Sequence, residues 1–595
     1  MHGSLTLTLV VYAVLAVGHA LYRDHRPATW LRAARFKEAV RRTEPVPGVV
    51  LLVGIAFGIA LWHLAGPVQG DALFHLGRVR KLDELGSLSL RAVDEFRDGG
   101  LHPGYAFLLW HGFLALVSRL AGVDPTSAVR HETSLLAPVL FLVVYEAGRA
   151  LFRSAWLAWV ALAALLGLGS LAPGDGGALA GLGLPATVSQ YLLPTAGLAL
   201  VFRDRPLPLV SLALGLALVH PTYAVYLAIV LGGYLVVRAA LAREQLRALG
   251  LSVAAVVVPT VGVALWLKPL ADESVRDVHG FAHGVERYPG QFDVFGRSSF
   301  RIAPELIDRR GAIAVAALAL VPLAGLARRS RWAAFVLGGT VPLLALALWP
   351  RLFVHFAHVV SISQARRAIG FLPLPFALAG GAAVLARLLG PFVVPLGLGA
   401  GIWLQQSYPG NFGYAFGSGG GPAIVVWWAL FAGSAAFVWA AVVRRPRQLE
   451  RRGLYAGLAG LLFVLPVAVH GFSRWSPQGA GQQELSPGLV HALRTEVPKR
   501  AVVFYDPETS YRIAADAPVY VAVAPPAHVA DTRPNHPYVR QADARRFLRT
   551  GDLAIPRGYG ASFLVLDAKR TSLKPALDEV YGDARYTLYR LKPGP

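Results

Sequence analysis

Residues 70–87 read GDALFHLGRVRKLDELGS and follow directly on a hydrophobic run that begins near Val46. Taken as a helix, this stretch places Asp71, His75 and Arg78 at i, i+4 and i+7, on one face. An acid, an imidazole and a guanidinium aligned at the lip of a membrane form a candidate reaction site, because ionisable groups at that depth are functional hypotheses by default. A solvated amphipathic helix lying on the bilayer would show a similar pattern.

Outward from this stretch, apolar runs recur along most of the 595 residues, with 55% hydrophobic and only 15% charged side chains. That composition defines a polytopic membrane protein. The net charge of +22 does not point to nucleic acid, because the arginines cluster in short loops such as 327–332 (ARRSRW) and 444–452 (RRPRQLERR) between apolar runs. Such clustering is the positive-inside pattern. The chain has no cysteine, which excludes a disulfide framework, a thiolate metal site and a cysteine nucleophile. Basic charge carried mainly by arginine hints at a GC-rich bacterial genome.

Apolar runs can be drawn at 4–21, 47–66, 104–121, 132–151, 154–171, 185–202, 206–220, 221–240, 249–267, 311–327, 331–349, 367–388, 389–406, 422–442 and 453–471, giving about 14 spans once a short pair is merged. The run at 4–21 reads as a retained span with its N-terminus outside. The basic loops then lie inside, and the loops 67–103 and 268–310 lie outside. Counting back from the C-terminus, however, the parity clashes with an outer Asp71, so one segment between 104 and 240 is re-entrant or merged. The Gly- and Pro-rich region 171–190 is the expected place. Residues 1–471 therefore read as a mainly α transmembrane helical bundle. Residues 472–595, with strand-like runs at 501–506, 518–524, 562–567 and 586–591 and a helical stretch at 540–549, read as a small outer α/β domain.

The outer loop 67–103 is too long and too charged for a passive connector. A carboxylate at a membrane edge can act as general base on a hydroxyl, with a neighbouring histidine orienting substrate. Asp71 and His75 are the candidate pair, with Arg78 and His102 near the substrate. The D-x-x-x-H spacing also permits a divalent ion, Mg or Mn, on one helix face, although two ligands do not make a site. Asp83, Glu84, Asp94 and Glu95 alternate with Arg80, Lys81, Arg91 and Arg97 and read as a solvated charge face. In the loop 268–310, His279, His283 and Arg287 lie among aromatic residues, a mixture that suits a sugar subsite or an ordered lid. Between Arg309 and Gln448 there is no Asp or Glu, yet Arg351, Arg366 and Arg367 occur there. A planar guanidinium fork matches phosphate oxygens, which makes these three candidates for a donor phosphate; snorkelling to lipid headgroups is the alternative.

The order of features resembles the GT-C superfamily of membrane glycosyltransferases, which use polyprenyl-phosphate-linked sugars. The resemblance rests on a span, an outer loop that opens with Gly70-Asp71, the sequence HPGYAFLLWHGF at 102–113, then Gly122-Val123-Asp124 before a further span, and an outer C-terminal domain. It implies that Asp71 is the catalytic base or a metal-site residue, that Asp175 in PGDGG is the second acid, and that transfer inverts the anomeric centre. Two departures are an extra N-terminal span and Ala72 in place of the second acid of the usual Asp-Glu pair. The resemblance further implies a bacterial plasma-membrane enzyme with an extracytoplasmic site and C-terminal domain, a polyprenyl-phosphate sugar as donor, and a cell-envelope glycan or lipid as acceptor. Two other readings fit a many-span chain. One is a lipid-linked saccharide flippase or transporter, disfavoured in coupled form because six consecutive spans carry no acid. The other is a non-catalytic polysaccharide assembly subunit.

Overall fold

The computed structural model describes residue 11 and residues 45–241, 246–274, 285–286, 288–296, 298–411, 421–443, 453–477 and 484–592. The apolar run at 4–21 and the residues His279, His283 and Arg287 lie outside the described residues.

Two large cores organise the described residues, with a small satellite cluster of Leu157, Ala386, Val393, Ala456 and Ala459. The larger belongs to a helical layer built from α1 (Pro45–Leu64), α4 (Pro125–Phe152), α5 (Ala155–Leu166), α6 (Pro185–Phe202), α7 (Pro206–Val219), α8 (Pro221–Leu241), α9 (Leu246–Asp272), α10 (Ala312–Leu320), α11 (Arg331–Leu348), α13 (Leu374–Leu389), α14 (Val393–Ser407), α15 (Ala423–Val442) and α16 (Gly453–Ser473). Among the described residues eight apolar stretches are long enough to cross a membrane, and one of them, Ile362–Ser407, holds both α13 and α14. Prolines recur at helix starts, as at Pro125, Pro185, Pro206 and Pro221, where the missing N–H costs no hydrogen bond. The chain is a multi-pass membrane protein.

The apolar run at 104–121 is not a span, and this corrects the expected topology. Its helix, α3 (Leu109–Ala121), has only 13 residues, about 20 Å at the helical rise. It lies against α2 (Asp71–Leu85): Arg119 near its C-terminus pairs with Asp83 at 3.1 Å, and His111 near its start meets His75 at 2.9 Å. Both ends of α3 thus stay beside α2, and Gly122, in the left-handed conformation at φ 64°, turns the chain into α4. Removing this one crossing repairs the parity. The region 171–190, expected to hold the re-entrant or merged segment, is irregular: it follows a π turn (Gly167–Leu171), runs through four consecutive residues of positive φ, Gly174, Asp175, Gly176 and Gly177, and a 3₁₀ turn (Gly177–Gly181), and its last residues open α6.

The second core belongs to the C-terminal α/β unit. Its helices are α17 (Pro487–Thr495), α18 (Pro507–Asp516) and α19 (Pro537–Thr550). Its strands are β3 (Val502–Phe504), β4 (Tyr520–Val521), β5 (Phe563–Asp567), β6 (Asp578–Gly582) and β7 (Tyr586–Arg590), in the order β4-β3-β5-β7-β6. β4, β3 and β5 are parallel, while β7 and β6 are antiparallel. A separate hairpin of β1 (Phe292–Gly296) and β2 (Ser299–Ile302) packs on the surface helix α12 (Pro350–Val360).

Leu73, Phe74, Leu76, Val79 and Leu82 of α2 share their core with Val503, Phe504, Ile513 and Leu564. The first loop therefore folds into the C-terminal unit, and α2 is buried on nearly every side. Arg80 and Lys81 are each 1% exposed, Asp94 5% and Glu95 6%, so these four members of the expected solvated charge face are buried, while Asp83 and Glu84 are half-buried and Arg91 and Arg97 exposed. Arg80 bonds the carbonyl of Ala515 at 2.7 Å and both oxygens of Asp124, while Lys81 donates to the carbonyl of Asp94 at 2.6 Å. A buried charge persists only when paired and hydrogen-bonded in this way.

Gly77 is where α2 and α18 come closest: a Cβ there would sit 2.8 Å from the Ala514 carbonyl oxygen. Gly77→Ala is expected to push the helices apart and cost about 1–3 kcal/mol. Thermal unfolding of the detergent-purified protein, followed by tryptophan fluorescence, should show a lowered transition; an unchanged one would mean that the contact yields freely.

Candidate functional site

A cavity of ≈ 390 Å³ opens between α2 and the helical layer. Its polar lining includes Asp71, His75, Tyr105, Gln190, Arg309, Arg310, Arg366 and Arg367, and its apolar lining includes Leu165, Leu168, Leu198, Leu227, Val230, Phe335 and Phe376. Asp71 is the one carboxylate of the lining, set against four guanidinium groups.

The local sequence explains how each element arrives there. Gly70, at φ 57° and ψ −135°, turns the chain sharply six residues after the end of α1 so that Asp71 opens α2. Gly86, left-handed at φ 63°, closes that helix. Arg366 and Arg367 begin a tight 3₁₀ turn (Arg366–Phe371) that leads into the layer. Gly370 in this turn lies so close to α6 that a Cβ would meet the Gln190 amide at 2.5 Å. Just beyond, Phe376 packs on Phe202, Phe335 and Phe152, which lie at or near the arginine-rich ends of α6, α11 and α4. The apolar part of the cavity thus reaches deep into the bundle.

The arginines are individually oriented. Arg366 donates to Gln291 Oε1 at 3.1 Å, with its guanidinium 4.0 Å above the Tyr288 ring. Arg367 Nη1 lies 3.5 Å from the Tyr223 hydroxyl, and Arg310 Nη1 lies 3.2 Å from that of Tyr191. Arg309 and Arg310 were not expected from the sequence. They follow Asp308, whose carboxyl is buried beside Gly421 and pushed up to about 8 by that burial.

Asp71 meets a partner from the far end of the chain. His528 Nδ1 contacts Asp71 Oδ1, and the imidazole stacks on Tyr511 at 5.1 Å and 13°. The His528 contact is the main reason the Asp71 carboxyl sits below its usual range; burial opposes it, and the nearby His528 and Arg367 add electrostatically to it. The side chain of Asp71 remains 66% exposed.

His75 lies beside Asp71 as expected, 3% exposed, with its Nδ1 against His111 Nε2. Burial drives its pKa down to about 3, so it is neutral at ordinary pH. The other expected residues fall elsewhere. Arg78 is buried in an ion pair with Asp94 and donates to the Tyr105 carbonyl at 2.7 Å, which fixes the loop behind the cavity. His102 caps the turn at Pro103–Tyr105 by accepting from Gly104 N at 3.1 Å. Asp175, at φ 47°, accepts from Ser476 N at 3.1 Å and ties the 172–184 loop to the end of α16. Arg351 is exposed on α12 and does not line the cavity. Among the described residues no three His, Asp or Glu side chains are grouped to hold a metal ion. Asp71 and His75 supply two donors, and each already has another histidine as partner.

No protein-family model matches the chain, and no curated protein matches it. Among solved structures it is similar to the oligosaccharyltransferase of Archaeoglobus fulgidus tethered with an acceptor peptide, at 12% identity over 88% of this chain and 69% of that one, with a TM-score of 0.45. It is also similar to ArnT from Cupriavidus metallidurans, at 14% identity over 90% and 97% of the two chains and a TM-score of 0.45. A third likeness is to the arabinosyltransferase EmbB from Mycobacterium smegmatis, at 18% identity over 80% and 45% and a TM-score of 0.32.

Proposed function

We propose that this chain is a membrane glycosyltransferase that moves a sugar from a polyprenyl-phosphate donor to a hydroxyl of a cell-envelope glycan or lipid. The observation that carries this reading is the cavity itself: one exposed carboxylate faces four guanidinium groups, and an apolar depth continues beyond them. A phosphate on an apolar chain fits that order of surfaces, since arginine forks match phosphate oxygens and leucine and phenylalanine walls take hydrocarbon.

Asp71 takes the proton of the acceptor hydroxyl as its oxygen bonds the anomeric carbon. The bond from that carbon to the phosphate oxygen breaks, and its electron pair leaves with the phosphate, beside Arg366 and Arg367. Fixed cations act best where such charge develops. A single displacement inverts the anomeric centre. Arg153, Arg203, Arg205, Arg328 and Arg331 gather at the helix ends opposite Asp71, held in part by the Arg203–Glu146 and Arg331–Asp204 pairs. By the positive-inside rule that face is cytoplasmic, so Asp71 and the C-terminal unit lie outside.

The test is sugar transfer by the purified protein in detergent from a panel of synthetic polyprenyl-phosphate sugars, with and without chelator followed by Mg or Mn. Release of polyprenyl phosphate with a glycosylated acceptor is expected. Transport of lipid-linked saccharide across proteoliposomes, with no donor turned over, would overturn the reading in favour of a flippase.

A further inference from the structure

We propose that His528 is a positioning residue for Asp71, so that the C-terminal unit completes the reaction site of the helical layer. The inference rests on the sugar-transfer reading above and adds a residue to it.

The geometry is that of a built contact. His528 lies on the segment that follows β4, at the carboxyl edge of the parallel strands, where open α/β sheets place their functional loops. Its backbone N–H donates to the Pro525 carbonyl at 2.9 Å, closing a turn that presents the ring. Tyr511 then fixes both partners at once. Its ring, on a side chain 2% exposed, stacks on the imidazole, and its hydroxyl accepts from Phe74 N at 3.1 Å in the first turn of α2. One tyrosine therefore sets the register between the helix that carries Asp71 and the loop that carries His528.

An ionised carboxylate only accepts hydrogen bonds, so His528 Nδ1 carries the proton of this contact. The bond engages Asp71 Oδ1 and leaves Oδ2 to receive the acceptor's proton. During transfer the hydroxyl proton passes to Oδ2, the acceptor oxygen bonds the anomeric carbon, and the phosphate leaves with the electron pair; His528 keeps its own proton throughout. Asp71 also faces His75 from its own helix, Arg367 from the 3₁₀ turn and Tyr105 from the loop between α2 and α3. Without the imidazole, desolvation acts on the carboxylate against fewer opposing groups. The expected sign is a rise in its pKa.

The experiment uses the full chain in detergent, as wild type, His528→Ala and His528→Asn, the last keeping an N–H donor near the position of Nδ1. His528→Ala should lower kcat/KM by about tenfold to a hundredfold and move the acid limb of its pH profile upward by about one unit, with donor KM little changed. His528→Asn should recover much of the rate. A second readout is independent of turnover: labelling of Asp71 by a water-soluble carbodiimide across the pH range, read by mass spectrometry, whose midpoint should also rise in His528→Ala. An unmoved acid limb and an unmoved labelling midpoint would overturn the proposal. So would equal loss in Ala and Asn with a lowered melting temperature, which marks a docking contact only. If the wild type transfers no sugar while the labelling midpoint still shifts, the sugar-transfer reading fails and the His528–Asp71 coupling stands.

Discussion

Asp71→Asn is expected to lower sugar transfer by about 10²–10⁴-fold, the range for removal of a positioned general base, while leaving donor binding nearly intact. The substitution is close to isosteric, and an amide oxygen can still accept from His528 Nδ1, so the contact between α2 and the C-terminal unit has reason to survive. The one structural cost is a lost negative charge in the first turn of α2, worth about 0.3–1 kcal/mol. A melting temperature near that of wild type, a donor Kd within a few-fold, and a kcat reduced by orders of magnitude would together place the loss in the chemical step. Asp71→Glu should recover part of the rate, because the carboxylate returns one methylene out of place. Transfer retained by Asp71→Asn would remove Asp71 from the base role, whatever its position in the cavity.

How far the sequence could have led to this site differs residue by residue. Asp71 and His75 were legible because a helix bracketed by Gly70 and Gly86, directly after an apolar run, puts them on one face next to the membrane. Arg366 and Arg367 were legible for a different reason: no acid lies near them in the chain, so an outside anion was the simplest counter-charge. Arg309 and Arg310 were hidden by their neighbours. Asp308 and Glu305 balance them on paper, but burial of Asp308 against Gly421 removes that carboxyl from the cavity. The buried charges of α2 misread as solvated because their cover, α18, lies more than 400 positions away, and no local pattern announces it. His528 failed for the same reason, since a single histidine in a Pro-rich turn has no periodicity to betray a partner 457 residues distant. The run at 104–121 was apolar enough to pass for a span, and the clue that it was not one lay in the failed parity count. The count flagged an error without placing it; the contacts of α3 with α2 near both its ends place it.

The second large effect is expected at the arginine turn. Arg367→Ala should lower kcat/KM by about 10²–10³-fold, as loss of one fixed donor to developing charge does elsewhere. It should also weaken inhibition by free polyprenyl phosphate, which shares the leaving group. Arg366→Ala should act in the same direction, and the double variant should fall short of the product of the singles, because both groups address one phosphate. Arg367→Lys restores the charge without the planar fork, so a rate well below wild type is expected even so. Arg351→Ala supplies the contrast: that side chain is exposed on α12, outside the cavity lining, and its removal should leave kcat/KM within about twofold, since arginines that only meet headgroups contribute little to one bound substrate. Donor titrations and inhibition by polyprenyl phosphate across these variants separate two kinds of arginine. If Arg351 matters as much as Arg367, the phosphate is met at the membrane surface and the cavity does not hold the donor. If Arg367 alone fails, the leaving phosphate departs beside the base on the cavity's polar wall, and the apolar depth below it is where the lipid chain lies.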